Sequence, residues 1–422
     1  LESIISMRKS ITLAVSTHGL KAKVYGIAIV IVALTAMYAC HNTVDKHDDK
    51  LVPCAVTVSL DSLFSQIFPD AKEPGGIAIV MRNDTMVYRH TFGLADLETR
   101  AAIDDSTVFN LSSASKIFTT AALLKLSEQG MLSLDDSLSK FFPELNRRIF
   151  DKINIRHILT HSTGLPDLRP RNKEQWNNYQ DAHQTVFVFG QDYILYGDEN
   201  EQMHIFHSLE TTEFEPGTHY QRDDPAYIMV APLIERITGV NFEKWMNENI
   251  FKPTGANIFY QGADYGDKKI AHAYRSANAS TTPRGYRSAD GRWDEYDVGE
   301  APYFLTRADR GAYSTAHDFM KWICAFYSGK IISEASLKAM HTPYIPTDMP
   351  MISFGLGTGI RDEPGAPIKS YHMNSNGGYA VVEGSWPEKN LHYIVFANRA
   401  DWDTRAITMS LDSIFHVNNF IR

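Results

Sequence analysis

The segments of this chain that read as strands lie at its two ends. Near the start, “GGIAIVMRNDTMVYRHTFGLAD” gives two runs rich in β-branched and apolar residues around an Asn83-Asp84 turn. Near the finish, “SFGLGTGI”, “YAVVEGSWP” and “LHYIVFANR” read as further strands, and “TRAITMSLDSIF” as a closing helix. Helical periodicity dominates between them. A strand leaves unpaired N–H and C=O groups on both edges, so segments far apart in the chain are expected to complete one sheet. This order predicts an α/β protein of the α+β kind: a mixed sheet built from both ends, with a helical region at about 117–300 inserted. Ligands in such a layout sit at the seam between sheet and helices.

The bulk numbers narrow the partners. The chain has 422 residues, 44% hydrophobic and 22% charged, with a net charge of -9. That balance argues against nucleic acid, because there is no basic excess to displace counterions. Three cysteines, Cys40, Cys54 and Cys324, make neither a disulfide framework nor a zinc ribbon. Basic residues Arg8, Lys9, Lys21 and Lys23 precede the apolar run “VYGIAIVIVALTAMYA” and then Cys40. Residues 1–40 therefore read as an export signal. “MYAC” resembles a bacterial lipoprotein signal with Cys40 as the lipidated residue; an ordinary cleaved signal or a retained anchor is the alternative. Residues 41–55 form a polar tether, and 56–422 the folded domain. The expected location is the cell envelope, with membrane contact through the N terminus alone.

Within the domain, “FNLSSASKIFTTAALLKL” carries Ser113 and, three residues later, Lys116, at the start of an apolar helix. Residues at i and i+3 share a helix face. Burying an ammonium is costly unless its charge is used or lost. A serine needs a base to become a nucleophile, and a desolvated lysine can be that base. The N-terminal N–H groups of such a helix are also placed to hold an oxyanion. The plainer reading is a snorkelling lysine. Elsewhere, His157 and His161 stand four apart without an acidic partner in zincin spacing, and no glycine-rich phosphate loop follows a strand. No metal or cofactor is therefore expected. Trp176, Tyr179, Tyr274 and Tyr286 either line a cleft or pack loops. Asp309 and Arg310 are placed to pair, near the site or simply within a loop, and Cys324 reads as a small apolar residue inside a helix.

Five segments occur in order: “FNLSSASKIFTTAALLKLSEQGMLSLDDSLSKFFPE”, “INIRHILTHSTGLPD”, “FEPGTHYQRDDPAYIMVAPLIERITG”, “FEKWMNENIFKPTGANIFY” and “GAYSTAHDFMKWICAF”. Together they resemble the serine beta-lactamase and penicillin-binding-protein superfamily, in the branch of class C beta-lactamases, D-stereospecific peptidases and esterases. The resemblance covers nearly the whole chain from about residue 73. It implies an antiparallel sheet, a helical subdomain and an active site between them. Ser113 would be the nucleophile and Lys116 its proton acceptor.

Two other motif elements depart from the family pattern. Where the family has Tyr-x-Asn after Pro-Gly-Thr, this chain has Arg222 and Asp224 after Pro216-Gly217-Thr218. A guanidinium cannot act as a base. Tyr220 lies two residues earlier, and either reaches the site through a loop shift or packs as an aromatic residue. Arg222 would lie near Lys116 and favour its neutral form, unless Asp223 or Asp224 cancels the charge. Where the family has Lys/His-x-Gly on an edge strand, this chain has His372, Met373 and Asn374, followed by Ser375, whose N–H would be the second oxyanion donor. Asn374 brings a side chain to a place where substrate backbone normally approaches. The expected protein is an envelope serine hydrolase, working through an acyl-enzyme on a small ester, amide or D-amino-acid peptide. In that reading Ser113, Lys116, Tyr220 and His372 are catalytic, and Arg222, Asp224, Asn374 and Ser375 form the substrate and oxyanion site. The alternative is the same fold used to bind a ligand or peptide, its chemistry impaired by Arg222 and Asn374.

Overall fold

The computed structural model describes residues 54–166, 187–188, 194–195, 206–207, 209–222, 224–260, 269–276, 288, 290–295, 307–376 and 378–421. Cys40, the export segment, Trp176, Tyr179 and Tyr286 lie outside these. Ser62–Arg422 forms one compact unit, separate from Leu1–Asp61.

The N-terminal hairpin forms as its sequence dictates. Strands β1 (Gly76–Arg82) and β2 (Thr85–Phe92) are joined at Asn83 and Asp84, which take φ of 49° and 58°. Two left-handed residues in succession give the turn whose twist suits a two-residue hairpin, and Asn and Asp tolerate that region well. Further along come β3 (Val108–Asn110), β4 (Phe259–Tyr260) and β5 (Ala312–Thr315), which form a small antiparallel sheet in the order β3-β5-β4. The C-terminal strands are β6 (Ile345–Pro346), β7 (Ile352–Phe354), β8 (Gly359–Arg361), β9 (Lys369–Asn376), β10 (Tyr379–Trp386) and β11 (Leu391–Ala397). They run in sequence order and then take up the hairpin, as β6-β7-β8-β9-β10-β11-β1-β2.

The two ends of the domain thus share one sheet. Its pairings are all antiparallel, as the family resemblance implies and unlike the mixed sheet that element order alone suggested. The hairpin enters beside β11 head to tail, with Gly76 opposite Ala397, so no parallel crossover is needed. Buried Asn398 ties this junction: its side chain accepts from Gly75 N–H and donates to the carbonyls of Leu94, Ala95 and His272.

Helix α1 (Ser115–Glu128) follows a single 3₁₀ turn at Ser112–Ala114 and is buried along most of its length. Its Phe118 meets Phe251, Phe319 and Trp322 edge-on, at centroid distances of 4.6–5.8 Å. A helix apolar on every face belongs in a core, and this one runs through the largest apolar cluster. Two short helices follow one another, α2 (Asp224–Ile228) and α3 (Val230–Thr238). Pro232 has no N–H to give the Ile228 carbonyl, which breaks the ladder at that step. Helix α4 (Arg307–Arg310) precedes β5, and α5 (Ala316–Tyr327) is capped by the Thr315 hydroxyl, which accepts from Asp318 N–H. Closing helix α6 (Thr404–Val417) packs on the opposite face of the sheet, where Asp412 meets Lys369.

Candidate active site

Ser113 lies in the 3₁₀ turn that leads from β3 into α1, 8% exposed. The turn is held from both sides. Ser112 has φ of 50°, an unusual conformation for a side-chain-bearing residue, and its N–H donates to Asn110 Oδ1 at 2.8 Å. Asn110 Nδ2 in turn donates to the Arg310 carbonyl at 3.0 Å. This brace orients the serine before any catalytic partner is counted.

One turn on, Lys116 reaches back, with its Nζ 3.2 Å from Ser113 Oγ. The lysine is 3% exposed and stands over the Tyr227 ring at 5.0 Å. The Asp309 carboxylate, 1% exposed, lies 3.9 Å from its Nζ and is bonded to Arg310 Nε at 2.8 Å. Asp309 and Arg310 therefore pair at the site itself, and the carboxylate offsets part of the positive charge there.

Two more donors arrive at the same oxygen. Arg222 places a guanidinium nitrogen 3.1 Å from Ser113 Oγ, and Asn374 Nδ2 also donates to it. Arg222 and Asn374, two of the residues at which the sequence departs from the expected motifs, thus join Lys116 on the serine oxygen. A hydroxyl oxygen has two lone pairs and one proton, while a guanidinium and an amide NH₂ can only donate. Lys116, Arg222 and Asn374 thus crowd one oxygen with donor groups, and Lys116 is the only one of the three that can also serve as a proton acceptor, as a neutral amine.

The remaining expected residues divide. Tyr220 is not among the hydrogen-bond partners of Ser113, which corrects the expectation that it serves as a catalytic group in contact with the serine. Its ring packs against His161 and Phe354, at 6.1 and 5.3 Å, and lines the cleft. His372 is likewise turned from the serine. Its Nε2–H donates to the Gly357 carbonyl at 2.8 Å, and its Nδ1 lies 2.9 Å from Glu383 Oε2. With both nitrogens engaged, it has no lone pair for Ser113 and instead braces the Gly357 turn in the cleft wall. A side chain at Gly357 would collide with Thr120, and its φ is +70°. Asp224 begins α2 and Ser375 lies on β9 beside Asn374, opposite Ala380. Strand β8 pairs with β9 only as far as Tyr371, so among the described residues β9 has an open edge from His372 to Asn376.

The cleft over these groups holds about 210 Å³, with Ser113, Lys116 and Arg222 at its polar end and Phe354, Ile352 and Met373 on its apolar wall. Two contributors escaped sequence reasoning, Asn110 and Glu383, and His161, weighed there only as a metal ligand, lines the cleft instead. His161 packs on Phe354 at 4.8 Å, and its φ of 53° suits the sharp bend after the Ile155–Leu159 helix. Neither Asn110 nor Glu383 belongs to a spaced motif, so only proximity reveals them. His157 caps its own helix, its Nδ1 accepting from Asn154 N–H. Tyr274 is buried, and its hydroxyl accepts from Leu97 N–H, which makes it a packing residue and not part of the cleft.

A family model described as Beta-lactamase matches residues 60–411. The chain belongs to this family. Among its relatives is penicillin-binding protein 4* of Bacillus subtilis (strain 168), 22% identical over 81% of this chain and 72% of that protein. A D-aminopeptidase of Brucella anthropi is 30% identical over 47% of this chain, a stretch that spans 34% of its own length. Esterase EstB of Burkholderia gladioli is 34% identical over 26% of this chain and 29% of its own. The fold matches that of an octameric penicillin-binding protein homologue from Pyrococcus abyssi, with TM-score 0.71, 24% identity, and 86% and 77% of the two chains covered. It also matches a D-amino acid amidase from Ochrobactrum anthropi SV3 complexed with L-phenylalanine amide, with TM-score 0.68, 19% identity, and 86% and 98% covered.

Proposed function

We propose that this protein is a serine hydrolase that works through an acyl-enzyme. The observation that carries the reading is the direct contact of Lys116 Nζ with Ser113 Oγ at 3.2 Å, with Arg222 and Asn374 on the same oxygen. Ser113 Oγ attacks the carbonyl carbon of an ester or amide while its proton passes to Lys116. The carbonyl oxygen becomes an oxyanion, held by the backbone N–H groups of Ser113 and Ser375 in the family manner. As the tetrahedral centre collapses, the leaving group departs with the proton from Lys116 and the acyl group stays on Ser113. Water then gives a proton to Lys116, attacks the acyl carbon and releases the acid, and Ser113 takes its proton back. The motif tyrosine is not needed for this proton path, because Lys116 is in direct contact with the serine.

Arg222 supplies fixed positive charge where negative charge develops, a role a tyrosine base would not play. Small esters, amides and D-amino-acid peptides are the substrate classes, in line with the relatives' names. The export signal and “MYAC” support an envelope location with a lipid on Cys40.

One observation favours a second reading. The two donors on Ser113 Oγ occupy the lone pairs it would use to attack, and a site frozen so would bind ligands without turning them over. Intact-mass labelling with a fluorophosphonate separates the two. A single adduct on the wild type, absent from Ser113→Ala and Lys116→Ala, is the expected result. A folded wild-type protein that takes no adduct would establish the binding reading instead.

A further inference from the structure

The cleft over Ser113 does not end at its apolar wall. A second cavity of about 120 Å³ adjoins it, and the two share Met349, Ile352, Tyr371 and Met373 in their linings. Strand β9 explains how they meet. Its Asn374 faces Ser113, whereas Met373 faces α6, with its sulfur 3.9 Å from the Thr408 hydroxyl. Alternate residues of a strand face opposite sides, so the second cavity lies round the strand from the nucleophile. β8 stops opposite Tyr371, which leaves the edge beside Met373 open as the passage between them.

The two ends of this passage differ in chemistry. Met349, Ile352 and Met373 make its neck apolar, and Met409 on the far wall is 53% exposed. Methionines accommodate chains of varied shape. At the outer end stand Arg405, Arg361 and Lys369 with one acidic residue, Asp412. Asp412 is shared by Lys369 and Arg361, and Arg361 also pairs with Glu363. Arg405 makes no ion pair among the described residues.

We propose that the second cavity is a substrate subsite, taking an apolar stem of the substrate that passes Met373 and ends in a carboxylate at Arg405. The proposal rests on the hydrolase reading and names its substrate class: esters or amides whose acyl part is a linear chain with a terminal carboxylate, such as the half-ester of a medium-length dicarboxylic acid. The stem gains by leaving water and the terminal anion meets the unpaired guanidinium, while Ser113 acts at the other end.

The test is a set of phenyl esters: the acetate, the hexanoate, the half-adipate and its methyl ester. On the wild-type protein kcat/KM is expected to rise about tenfold or more from acetate to hexanoate. The half-adipate should exceed its methyl ester by about threefold at low salt, and less at roughly 0.5 M salt. Met373→Trp should collapse the hexanoate-to-acetate ratio, and Arg405→Ala the half-adipate-to-methyl-ester ratio. Fluorophosphonate labelling checks that each variant is folded at the site. Turnover with flat ratios would overturn the subsite and keep the hydrolase. Calorimetry of the same four compounds on Ser113→Ala covers the other case. The same ranking in binding, without wild-type turnover, keeps the subsite and removes the hydrolase. Neither ranking nor turnover removes both.

Discussion

Among the described residues two lysines, Lys116 and Lys369, are almost completely buried, and they stand in different settings. Lys369, on the face of the sheet covered by α6, bonds directly to the Asp412 carboxylate and lies 2.8 Å from the Tyr393 hydroxyl. Tyr371, Trp386 and Tyr393 surround its ammonium at 4.9–5.7 Å. Burial pulls its pKa down, and Asp412 opposes that pull. Lys116, across the sheet, bonds to a hydroxyl, and its Asp309 partner stands beyond hydrogen-bond range at 3.9 Å. A lysine locked to a carboxylate is a structural cation; one directed at a serine oxygen is equipped to exchange a proton. The two positions show that burial of a lysine does not mark a catalytic site. The partner does.

The sharpest way to break this contrast is to remove each lysine in turn. Lys116→Ala is expected to lower turnover or adduct formation by about 10³-fold, with the thermal midpoint little changed. Lys369→Met is expected to do the reverse. It strands Asp412, which costs about 3–5 kcal/mol in denaturant unfolding, while labelling per folded molecule persists. Adding Asp412→Leu to Lys369→Met should return most of that loss, since a well-packed apolar pair replaces a buried ionic one at little net cost. If Lys369→Met abolished labelling in folded protein, the division of roles would be wrong.

Burial can be read separately from pairing at two imidazoles stacked on Tyr327. His341 and His392 are both pushed down to about 4, chiefly by burial. As pH falls the unfolded chain takes up these protons first, near the ordinary histidine value, and the folded chain only near 4. Their contribution to stability is therefore complete above about pH 6.5 and lost between there and pH 4, on the order of 3 kcal/mol for each. Unfolding measured at pH 7 and pH 5 should show the loss, and His392→Asn should reduce it. A flat profile over that window would mean these rings are not held neutral.

The smallest expected effect tests the arginine. Arg222→Ala should lower kcat/KM by roughly 10–100-fold, because one donor of fixed charge leaves the reacting centre. Under the binding reading the same change would free Ser113 Oγ and raise fluorophosphonate labelling. The direction of the change decides between the two.

Much of the site was legible in the residues. Ser113 and Lys116 are three apart on a helix whose apolar run announced its burial, and local geometry alone brings them together. The Asn83-Asp84 turn was equally local. Tyr220 and His372 were harder, because spacing along a strand fixes which side a residue faces but not which atom it meets. Tyr220 had aromatic neighbours to pack on, and His372 had Glu383 from the adjacent strand. Glu383 was invisible beforehand because strand register, set by pairing, decides which residue stands opposite.

By itself the sequence determined the hairpin, the helix of Ser113 and Lys116 and the strand content at both ends, since these follow from contacts a few residues long. Only the tertiary structure decided that Arg222 and Asn374 meet on Ser113 Oγ, 109 and 261 residues away in the chain. Such convergence depends on how sheet, loop and helix pack. No local pattern encodes it, and here it turns two apparent defects of a motif into the partners of the serine.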